Sequence, residues 1–288
     1  MLKLKAFAKV NLVLEVLGRR ADGYHEIASI MQTVGLCDVL TLEPAGRVSL
    51  QSGLPGLPDR DNIILKAAEA LGKFTGCSKG AVIKLEKNIP VGAGLGGGSS
   101  DAAAVLHGLN RLWQLELTGE QLEAIGAGLG SDVPFFIYGG TCLVGGRGER
   151  VTPLPDLGQV WFVLLRPGMA VLPGKTAALY GMVKPGHYTS GGLSAQVQGL
   201  IENGSETRPL PLYNIFEKVA PAAFPGLGKY MQEFLSAGAP EVHLAGSGPV
   251  LFTMLHDEMQ ASGIHASLLA GGLESYLVKS VVREEIGC

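Results

Sequence analysis

The chain has 288 residues, 47% of them hydrophobic and 17% charged, and its formal net charge is -3 at pH 7. This length and apolar content suffice for one large domain or two smaller ones around a buried core. A slightly acidic chain lacks the basic face that nucleic-acid-binding proteins present, so no nucleic-acid partner is expected.

The cysteines and the N-terminus indicate a cytoplasmic protein. The four cysteines are Cys37, Cys77, Cys142 and Cys288. They are scattered without a C-x-x-C pair, which favours free thiols in a reducing compartment over a disulfide framework or a metal site. The N-terminal apolar run is interrupted by polar residues and lacks a cleavage site, so no signal peptide is predicted. No stretch is apolar for long enough to span a bilayer, and no membrane association is expected.

The first ninety residues are predicted to form mostly strands. One strand ends at Gly18, and Asp22 and Gly23 form the turn after it. Further strands are expected in four segments: 29–36, 38–44, 47–52 and 81–88. A helix is expected before the last of these, with Asp59 or Asp61 as its N-cap. Its core-facing residues recur at helical spacing: Ile64, Ala67, Ala68 and Leu71.

A glycine-rich loop follows and opens a long helix. The loop, PVGAGLGGGSS, occupies residues 90–100 and holds five glycines. The helix is expected over 99–115, with Ser99 or Ser100 as its N-cap. Asp101 suits the positive end of the dipole of this helix.

A second helix is predicted over 118–130, where Thr118 and Gln121 have the spacing of a capping box. Residues 131–140 are expected to be a loop that leads into a hairpin of two strands, 141–146 and 150–154. The segment from Leu154 to Gly158 is the candidate boundary between two domains, 1–154 and 155–288.

The second half is predicted to begin with a strand over 159–168. Three helices are expected after it, over 193–203, 214–221 and 226–237. A strand, a Gly-Ser-Gly turn and another strand follow over 241–255, and then a short helix and a last strand over 275–282. Residues 184–193 are polar and glycine-rich and are expected to form a mobile loop. Strands and helices do not alternate strictly, which favours an α+β fold over a doubly wound α/β fold.

The glycine loop has two familiar interpretations that fail. Gly92, Gly94 and Gly97 spell G-x-G-x-x-G, the dinucleotide fingerprint, but that motif needs a second strand ending in an acid, and here a second helix follows. A P-loop needs G-K-[ST] directly after the glycines, and it is absent there. What remains is a bare backbone at a helix N-terminus, which can bind phosphate, with Ser99 and Ser100 adding hydroxyls. The plain alternative is a glycine-rich turn with serine caps.

The loop resembles the central motif of the GHMP kinases. The segment AKVNLVLEVLGRRADGYHE near the N-terminus resembles the first family motif, and LAGSGPVLF, residues 244–252, resembles the third. The N-terminal segment and GSDVPFF around Asp132 are similar to a subfamily whose acceptor alcohol carries a cytidine diphosphate. The resemblance covers nearly the whole chain and is loosest over 167–213, where a small insertion is expected.

The resemblance implies a two-domain α+β kinase fold with the active site in the cleft between the domains. It implies ATP and Mg²⁺ as cofactors and a small-molecule acceptor, the tertiary 2-hydroxyl of cytidine diphosphate methylerythritol, in non-mevalonate isoprenoid biosynthesis. No acid stands out as a dedicated metal ligand, so phosphates, water and a serine are expected to hold the metal. A monomer or a homodimer is expected.

The resemblance also implies the catalytic residues. Asp132 would be the general base for the acceptor hydroxyl, and Lys9 would steady that carboxylate and meet the γ-phosphate. Taken alone, Asp132 would be read as a cap or turn residue and Lys9 as a solvated strand lysine. The apolar neighbours of Lys9 favour a half-buried position.

The substrate-binding residues follow in the same way. ATP is expected on Pro90, Val91, Gly92, Ala93, Gly94, Leu95, Gly96, Gly97, Gly98, Ser99 and Ser100, with Asn62 and Lys87 near the adenine. The acceptor is expected on Asn11, Tyr24, His25, Thr176, Tyr180, Gly246, Ser247 and Gly248. Tyr24 and His25 would stack on and hydrogen-bond the cytosine, with Tyr180 as the opposite wall. Each assignment has a plain alternative. Tyr24 would be a turn residue, His25 an exposed histidine and Lys87 an exposed residue at a strand end, and residues 246–248 would be an ordinary turn.

Three other functions compete with this interpretation. One is a related kinase acting on homoserine or a mevalonate derivative, which the cytosine-binding pair Tyr24 and His25 disfavours. Another is a non-catalytic nucleotide sensor, which the presence of both Lys9 and Asp132 disfavours. The third is a nicotinamide-dependent dehydrogenase, which the missing second strand disfavours.

Overall fold

The computed structural model describes residues 1–52, 62–170, 174–204 and 210–286, which form a mixed α+β structure. Its strands are β1 Leu2–Arg19, β2 His25–Ala45, β3 Ser49–Ser52, β4 Gly80–Glu86, β5 Thr141–Gly146, β6 Arg150–Pro153, β7 Trp161–Arg166, β8 Tyr213–Asn214, β9 His243–Leu244, β10 Leu251–Leu255 and β11 Glu274–Lys279. Its helices are α1 Ile63–Thr75, α2 Gly97–Trp113, α3 Gly119–Ala127, α4 Val133–Tyr138, α5 Lys175–Met182, α6 Gly192–Glu202, α7 Ala220–Ala223, α8 Leu227–Ser236, α9 Glu258–Ala270 and α10 Arg283–Ile286. Short 3₁₀ turns lie at Pro185–His187 and Ile215–Lys218.

The larger sheet is built on a long hairpin of β1 and β2. Its strands run in the order β3-β4-β2-β1-β8, with β5 paired to β2 and β6 to β5. The apolar residues of β1 are almost continuous, as expected of a strand buried on both faces, and its middle is buried throughout. One face packs against α1, α2 and α4, whose apolar residues form a core cluster with those of the sheet. This core holds the start of α2 next to β1.

The smaller sheet has four antiparallel strands in the order β11-β7-β10-β9. Buried residues of β7, β10 and α9 form a second core together with Leu14, Val16 and Ile27 of the long hairpin. A third cluster joins both sheets and includes Val10 and Phe252. The chain beyond the predicted boundary also contributes β8, which pairs in parallel with β1. The division into 1–154 and 155–288 stays a prediction.

Most predicted elements occur where the sequence places them, and the capping box of α3 is present with both of its hydrogen bonds. The strands predicted over 29–36 and 38–44 are one continuous strand, β2, whose register to β1 shifts between Phe7 and Ala8. The helix α1 is capped by Asn62, whose side chain accepts from the N–H of Ile64. Asp59 and Asp61 lie outside the described residues.

The prediction that a serine caps α2 was wrong. The helix begins at Gly97, two residues earlier, and its N-cap is Gly96 in a left-handed conformation with no side-chain hydrogen bond. Ser99 and Ser100 therefore lie in the first turn. Glycine adopts the left-handed conformation readily, so Gly96 can lead the chain into the helix without a side-chain cap.

Four helical segments differ from the prediction. Residues 133–138, expected as a loop, form α4, and α5 was not predicted at all. The helix expected over 214–221 is a 3₁₀ turn followed by the short α7. The final helix before β11 is longer than expected, with 13 residues. In the described part of the chain, no helix has the length and apolarity needed to cross a membrane.

Candidate active site

A large cleft gathers most of the residues that the sequence singled out. It has a volume of about 1580 Å³. The residues predicted for the site that line it are Lys9, Asn11, Tyr24, His25, Asn62, Lys87, Pro90, Val91, Gly92, Ala93, Gly94, Leu95, Gly96, Gly97, Gly98, Ser99, Asp132, Thr176, Tyr180, Gly246 and Ser247. Cavities for one small ligand commonly reach about 1000 Å³ at most, so this cleft has room for two substrates.

Two predicted residues do not line the cleft. Ser100 is buried on the other side of α2, where it borders a small cavity with Phe7 and Phe136. Gly248 lies behind its turn, against the side chain of Leu244. These two positions support the neighbouring backbone and do not face a ligand in the cleft.

The glycine loop packs directly against the Gly-Ser-Gly turn at 246–248. Gly94 has φ +86, and a Cβ there would collide with the carbonyl oxygen of Ala245 and lie 2.7 Å from the amide nitrogen of Gly248. A Cβ on Gly246 would lie 2.6 Å from the carbonyl oxygen of Gly94 and 2.8 Å from Nζ of Lys9. Glycine is therefore required at both positions for two bare backbone segments to meet beside Lys9.

Lys9 and Asp132 meet at the centre of the cleft although they are far apart in the sequence. The Nζ of Lys9 lies 3.7 Å from Oδ2 of Asp132 and donates a 2.7 Å hydrogen bond to Oδ1 of Asn11. Lys9 is 4% exposed, so its ammonium is fixed among these partners. The Nδ2 of Asn11 donates in turn to Oγ of Ser29, at 2.8 Å. Asp132 begins α4 without capping it, which leaves its carboxylate free for the cleft.

Lys87 holds the base of the glycine loop through two buried aspartates. Its Nζ lies 2.5 Å from Oδ2 of Asp38 and 2.6 Å from Oδ2 of Asp101. The other oxygen of Asp38 accepts from the backbone N–H groups of Asn88 and Ile89. Burial raises the pKa of Asp101 against the opposing charge of Lys87. Lys87 lines the cleft, but its ammonium is hydrogen-bonded to Asp38 and Asp101 and is not directed at an adenine ring.

The aromatic residues predicted for the cytosine site all line the cleft. The rings of His25 and Tyr180 stack on each other, with centroids 5.1 Å apart and planes at 14°. Two rings in stacking contact leave no space for a base between them, so a cytosine stacked on Tyr24 would lie beside this pair. That Tyr180 forms the opposite wall stays a prediction, and Tyr180 lines the cleft. Tyr24 is half exposed, and the guanidinium of Arg147 lies 4.9 Å from its ring centroid. Burial, with the charge of Arg19, lowers the pKa of His25, which favours its neutral form.

Four residues of the site were missed by the sequence analysis. Asp38 and Arg147 carried no local signal. Asp101 was expected only to complement a helix dipole, and it is instead an ion-pair partner of Lys87. Lys175, at the start of α5, lines the cleft, and its Nζ donates to Oγ of Ser247 at 2.8 Å. The sequence Gly174-Lys175-Thr176 was the available signal for it, because a lysine beside a hydroxyl residue after glycine is typical of phosphate loops.

Comparisons with known proteins identify the family of this chain. The model of the GHMP kinases N terminal domain matches residues 62–140, which contain the glycine loop and Asp132. A 4-diphosphocytidyl-2-C-methyl-D-erythritol kinase of Dehalococcoides mccartyi is 48% identical over 98% of this chain and 99% of its own. The enzyme of that name from Gloeobacter violaceus is 40% identical over 96% of this chain and 94% of its own.

Solved structures give the same assignment. A crystal structure of 4-(cytidine 5'-diphospho)-2C-methyl-D-erythritol kinase superposes with a TM-score of 0.82 at 33% identity, covering 97% of this chain and 99% of that one. A homoserine kinase from Cytophaga hutchinsonii has a TM-score of 0.72 at 18% identity, covering 99% of this chain and 96% of that one, and so shares the fold. The order α2, α3, α4 after the glycine loop also excludes the dinucleotide-binding alternative, which needs a strand there. With its motifs joined in one cleft and relatives matching end to end, the chain belongs to the GHMP kinase family, among the 4-diphosphocytidyl-2-C-methyl-D-erythritol kinases.

Proposed function

We propose that Asp132 and Lys9 carry the chemistry of this kinase, which uses ATP to phosphorylate the 2-hydroxyl of 4-diphosphocytidyl-2-C-methyl-D-erythritol in isoprenoid precursor biosynthesis. The observation that supports these roles is the contact between the two side chains, 3.7 Å apart in the cleft. The backbone N–H of Lys9 also donates to the carbonyl oxygen of Leu95 in the glycine loop, at 3.0 Å. The pair is therefore tied to the loop that would bind ATP.

Asp132 accepts the proton of the acceptor hydroxyl as the hydroxyl oxygen attacks the γ-phosphorus. The bond from that phosphorus to the bridging oxygen of ADP breaks, and ADP is the leaving group. The ammonium of Lys9 contacts the phosphoryl oxygens, where negative charge accumulates during transfer. Asn11 orients Lys9 through its Oδ1 and is itself oriented by Ser29, so the ammonium is positioned before the substrates bind.

The glycine loop supplies the phosphate cradle. The first N–H groups of a helix have no partner within it, and the N-cap Gly96 offers no side chain to satisfy them. These groups and the positive end of the α2 dipole favour the phosphates of ATP. A Cβ on Gly96 would collide with Phe136, and one on Gly97 would lie 3.0 Å from Ile89 and from Nζ of Lys87, so these two glycines let the loop pack closely onto the residues beneath it.

Magnesium is expected with ATP, and the residues of the cleft fit an ion held mainly by phosphates. Within the described ranges, no group of three or more His, Cys, Asp or Glu side chains could hold a metal alone. Mg²⁺ commonly keeps several waters and takes one or two protein ligands plus substrate phosphates. Ser99 and Asp101 line the cleft, and Oδ1 of Asp101 is buried without a hydrogen-bond partner. These two side chains would hold the ion, which neutralises phosphate charge when bound.

We assign the cytidine end of the acceptor to the aromatic group of Tyr24, His25 and Tyr180, which lines the cleft. Tyr24 offers an exposed ring face, and His25 offers ring nitrogens for the edge of the base. Tyr180 supports His25 by stacking and is itself packed edge-on against Phe216 at 4.8 Å. We therefore propose that Tyr180 fixes the histidine ring, and its place as the opposite wall of the cytosine stays a prediction.

The experiment that tests the function is ADP release by the purified chain with ATP and Mg²⁺. The acceptors are 4-diphosphocytidyl-2-C-methyl-D-erythritol, homoserine and mevalonate. We expect release with the cytidine compound alone. Release with homoserine or mevalonate instead would contradict the cytidine assignment of Tyr24 and His25. Cytoplasmic location and a monomeric or homodimeric state stay predictions.

A further inference from the structure

Lys175 brings a second ammonium group into the cleft beside that of Lys9. It is the first residue of α5, after Gly174, which takes a left-handed conformation and makes no side-chain cap. Lys175 and its neighbour Thr176 both line the cleft. The start of α5 thus presents a cation, a hydroxyl and uncapped backbone N–H groups to the same space.

The hydrogen bonds of Lys175 go to neutral oxygens only. Its Nζ donates to the carbonyl oxygen of Ser247 at 3.0 Å, to Oγ of Ser247 at 2.8 Å and to the carbonyl oxygen of Gly248. Oγ of Ser247 also lies 2.8 Å from Oγ1 of Thr176. No carboxylate in the described part of the chain forms an ion pair with Lys175. Its charge therefore has hydrogen bonds but no counter-ion.

The electrostatics around Lys175 disfavour a second positive charge. Burial and then the charge of Lys9 lower the pKa of Lys175 to about 8. A buried cation is normally paired with an anion, because the free energy lost on removing its charge from water exceeds the free energy gained from hydrogen bonds to neutral groups. Two ammonium groups that repel each other in one cleft are both stabilised by a ligand that carries several negative charges. Phosphate is such a ligand, and lysine with a threonine hydroxyl at a helix start is a common way to bind it.

We propose that Lys175, together with Thr176, binds phosphate oxygens of a substrate and is a second phosphate-binding cation of this active site besides Lys9. The inference rests on the proposed function, since both substrates of that reaction carry phosphates. Two sources share this chemistry: the diphosphate of the acceptor and the γ-phosphate of ATP. The acceptor is the better fit, because Tyr180 of the same helix reaches the aromatic group assigned to cytidine.

Calorimetric titration of the full chain tests the proposal with four probes: cytidine, CDP, ADP and a non-hydrolysable ATP analogue. The variants are K175M and K175Q, with K229M as a matched control, because Lys229 is exposed and forms its ion pair with Glu233 on its own helix. We expect both Lys175 variants to bind CDP about 10- to 100-fold more weakly, as for loss of a hydrogen bond to a charged group, and to bind cytidine as the wild type does. Thermal unfolding checks that each variant is folded.

The outcomes separate the sources of the phosphate. Weakened binding of the ATP analogue with unchanged binding of ADP and CDP assigns Lys175 to the γ-phosphate. Equal loss for cytidine and CDP, or no loss for any probe, overturns the proposal and leaves a structural contact with the turn. Wild-type-like CDP binding by K175Q, which keeps a donor without the charge, also overturns it. If the wild type binds neither CDP nor the ATP analogue, the proposed function fails first and this inference with it.

Discussion

At the scale of single residues, the contact between Lys9 and Asp132 places a carboxylate where the acceptor hydroxyl must react. Asp132→Asn removes the proton acceptor but keeps the size and shape of the side chain. We expect kcat to fall by about 10²- to 10⁴-fold, while the fold and ATP binding are retained. Steady-state kinetics and calorimetric titration with an ATP analogue measure the two effects.

The matched control for this variant is Asp257→Asn. Asp257 caps α9 through the N–H of Gln260 and does not line the cleft, and asparagine caps as well as aspartate. It should keep wild-type turnover. Near-normal turnover in Asp132→Asn would show that another group, or water, takes the proton.

Lys87 makes a second prediction at this scale, about stability rather than turnover. Lys87→Met leaves Asp38 and Asp101 buried without their shared cation, and breaking a buried pair costs about 3–5 kcal/mol of unfolding free energy. Because burial already raises the pKa of Asp101, adding Asp101→Asn should recover part of this loss. Urea unfolding measures the free energy of each variant.

Lys84→Met is the control, since Lys84 lies on β4, three residues before Lys87, and forms an exposed pair with Glu43. Its loss should be at most about 1 kcal/mol. Equal losses for the Lys87 and Lys84 variants would contradict a buried ionic cluster under the loop.

The motifs of the sequence could predict which residues matter more readily than what each touches. Lys9 and Asn11 share a strand face by period two, and they are in contact as that period requires. The partners of Lys87 could not be found in this way. Asp38 lies on another strand, and no local pattern relates the two, so only the register of β2 against β4 brings them together.

At the scale of elements, the packing of the glycine loop against the turn at 246–248 decides whether the cleft forms. Gly94→Ala puts a Cβ into the carbonyl of Ala245 at a left-handed φ. We expect a loss of at least about 2 kcal/mol in unfolding free energy, from backbone strain and overpacking, and weaker binding of an ATP analogue. Urea unfolding and titration calorimetry are the measurements.

Gly199→Ala is the control for that substitution. Gly199 lies inside α6 with an ordinary helical φ, and a Cβ there meets no atom within 4 Å. This change should stabilise the chain by about 0.5–1 kcal/mol, because alanine favours helix. If Gly94→Ala were as stable as Gly199→Ala, the loop could not be packed against the turn as described.

Elements with a clear hydrophobic period or a capping motif could be predicted from the sequence. Short elements whose conformation depends on tertiary contacts could not. Thr118 and Gln121 identified the start of α3 from local chemistry alone. The six residues of α4 have the composition of a strand. Proline is, however, common in the first turn of a helix, where Pro134 lies. Phe135 is fully buried in the core. Burial of that side chain, rather than propensity, selects the helix. The start of α2 differs from the prediction because its N-cap is Gly96 in a left-handed conformation and not a serine.

At the scale of the whole molecule, the two sheets meet around the cleft and share their cores. Asn214, on β8, pairs with β1 and donates from Nδ2 to the carbonyl oxygens of Leu244 and Gly246. One asparagine thus ties the long hairpin of the first half to the turn of the second half. The site needs both halves of the chain. Lys9 lies on β1 of the larger sheet, Gly246 lies in the turn between β9 and β10 of the smaller sheet, and the two residues are in contact.

This sharing of cores predicts that the second half does not fold by itself. A fragment of residues 155–288 loses the strand that pairs with β8 and the hairpin side chains Leu14, Val16 and Ile27 of its core. We expect it to show helical signal in far-UV circular dichroism but little near-UV signal and no cooperative thermal transition. Mixing it with fragment 1–154 should restore a cooperative transition, because the missing strand and core are then supplied in trans. A sharp transition for fragment 155–288 alone would instead establish the boundary near Leu154 as a division between independently folding domains.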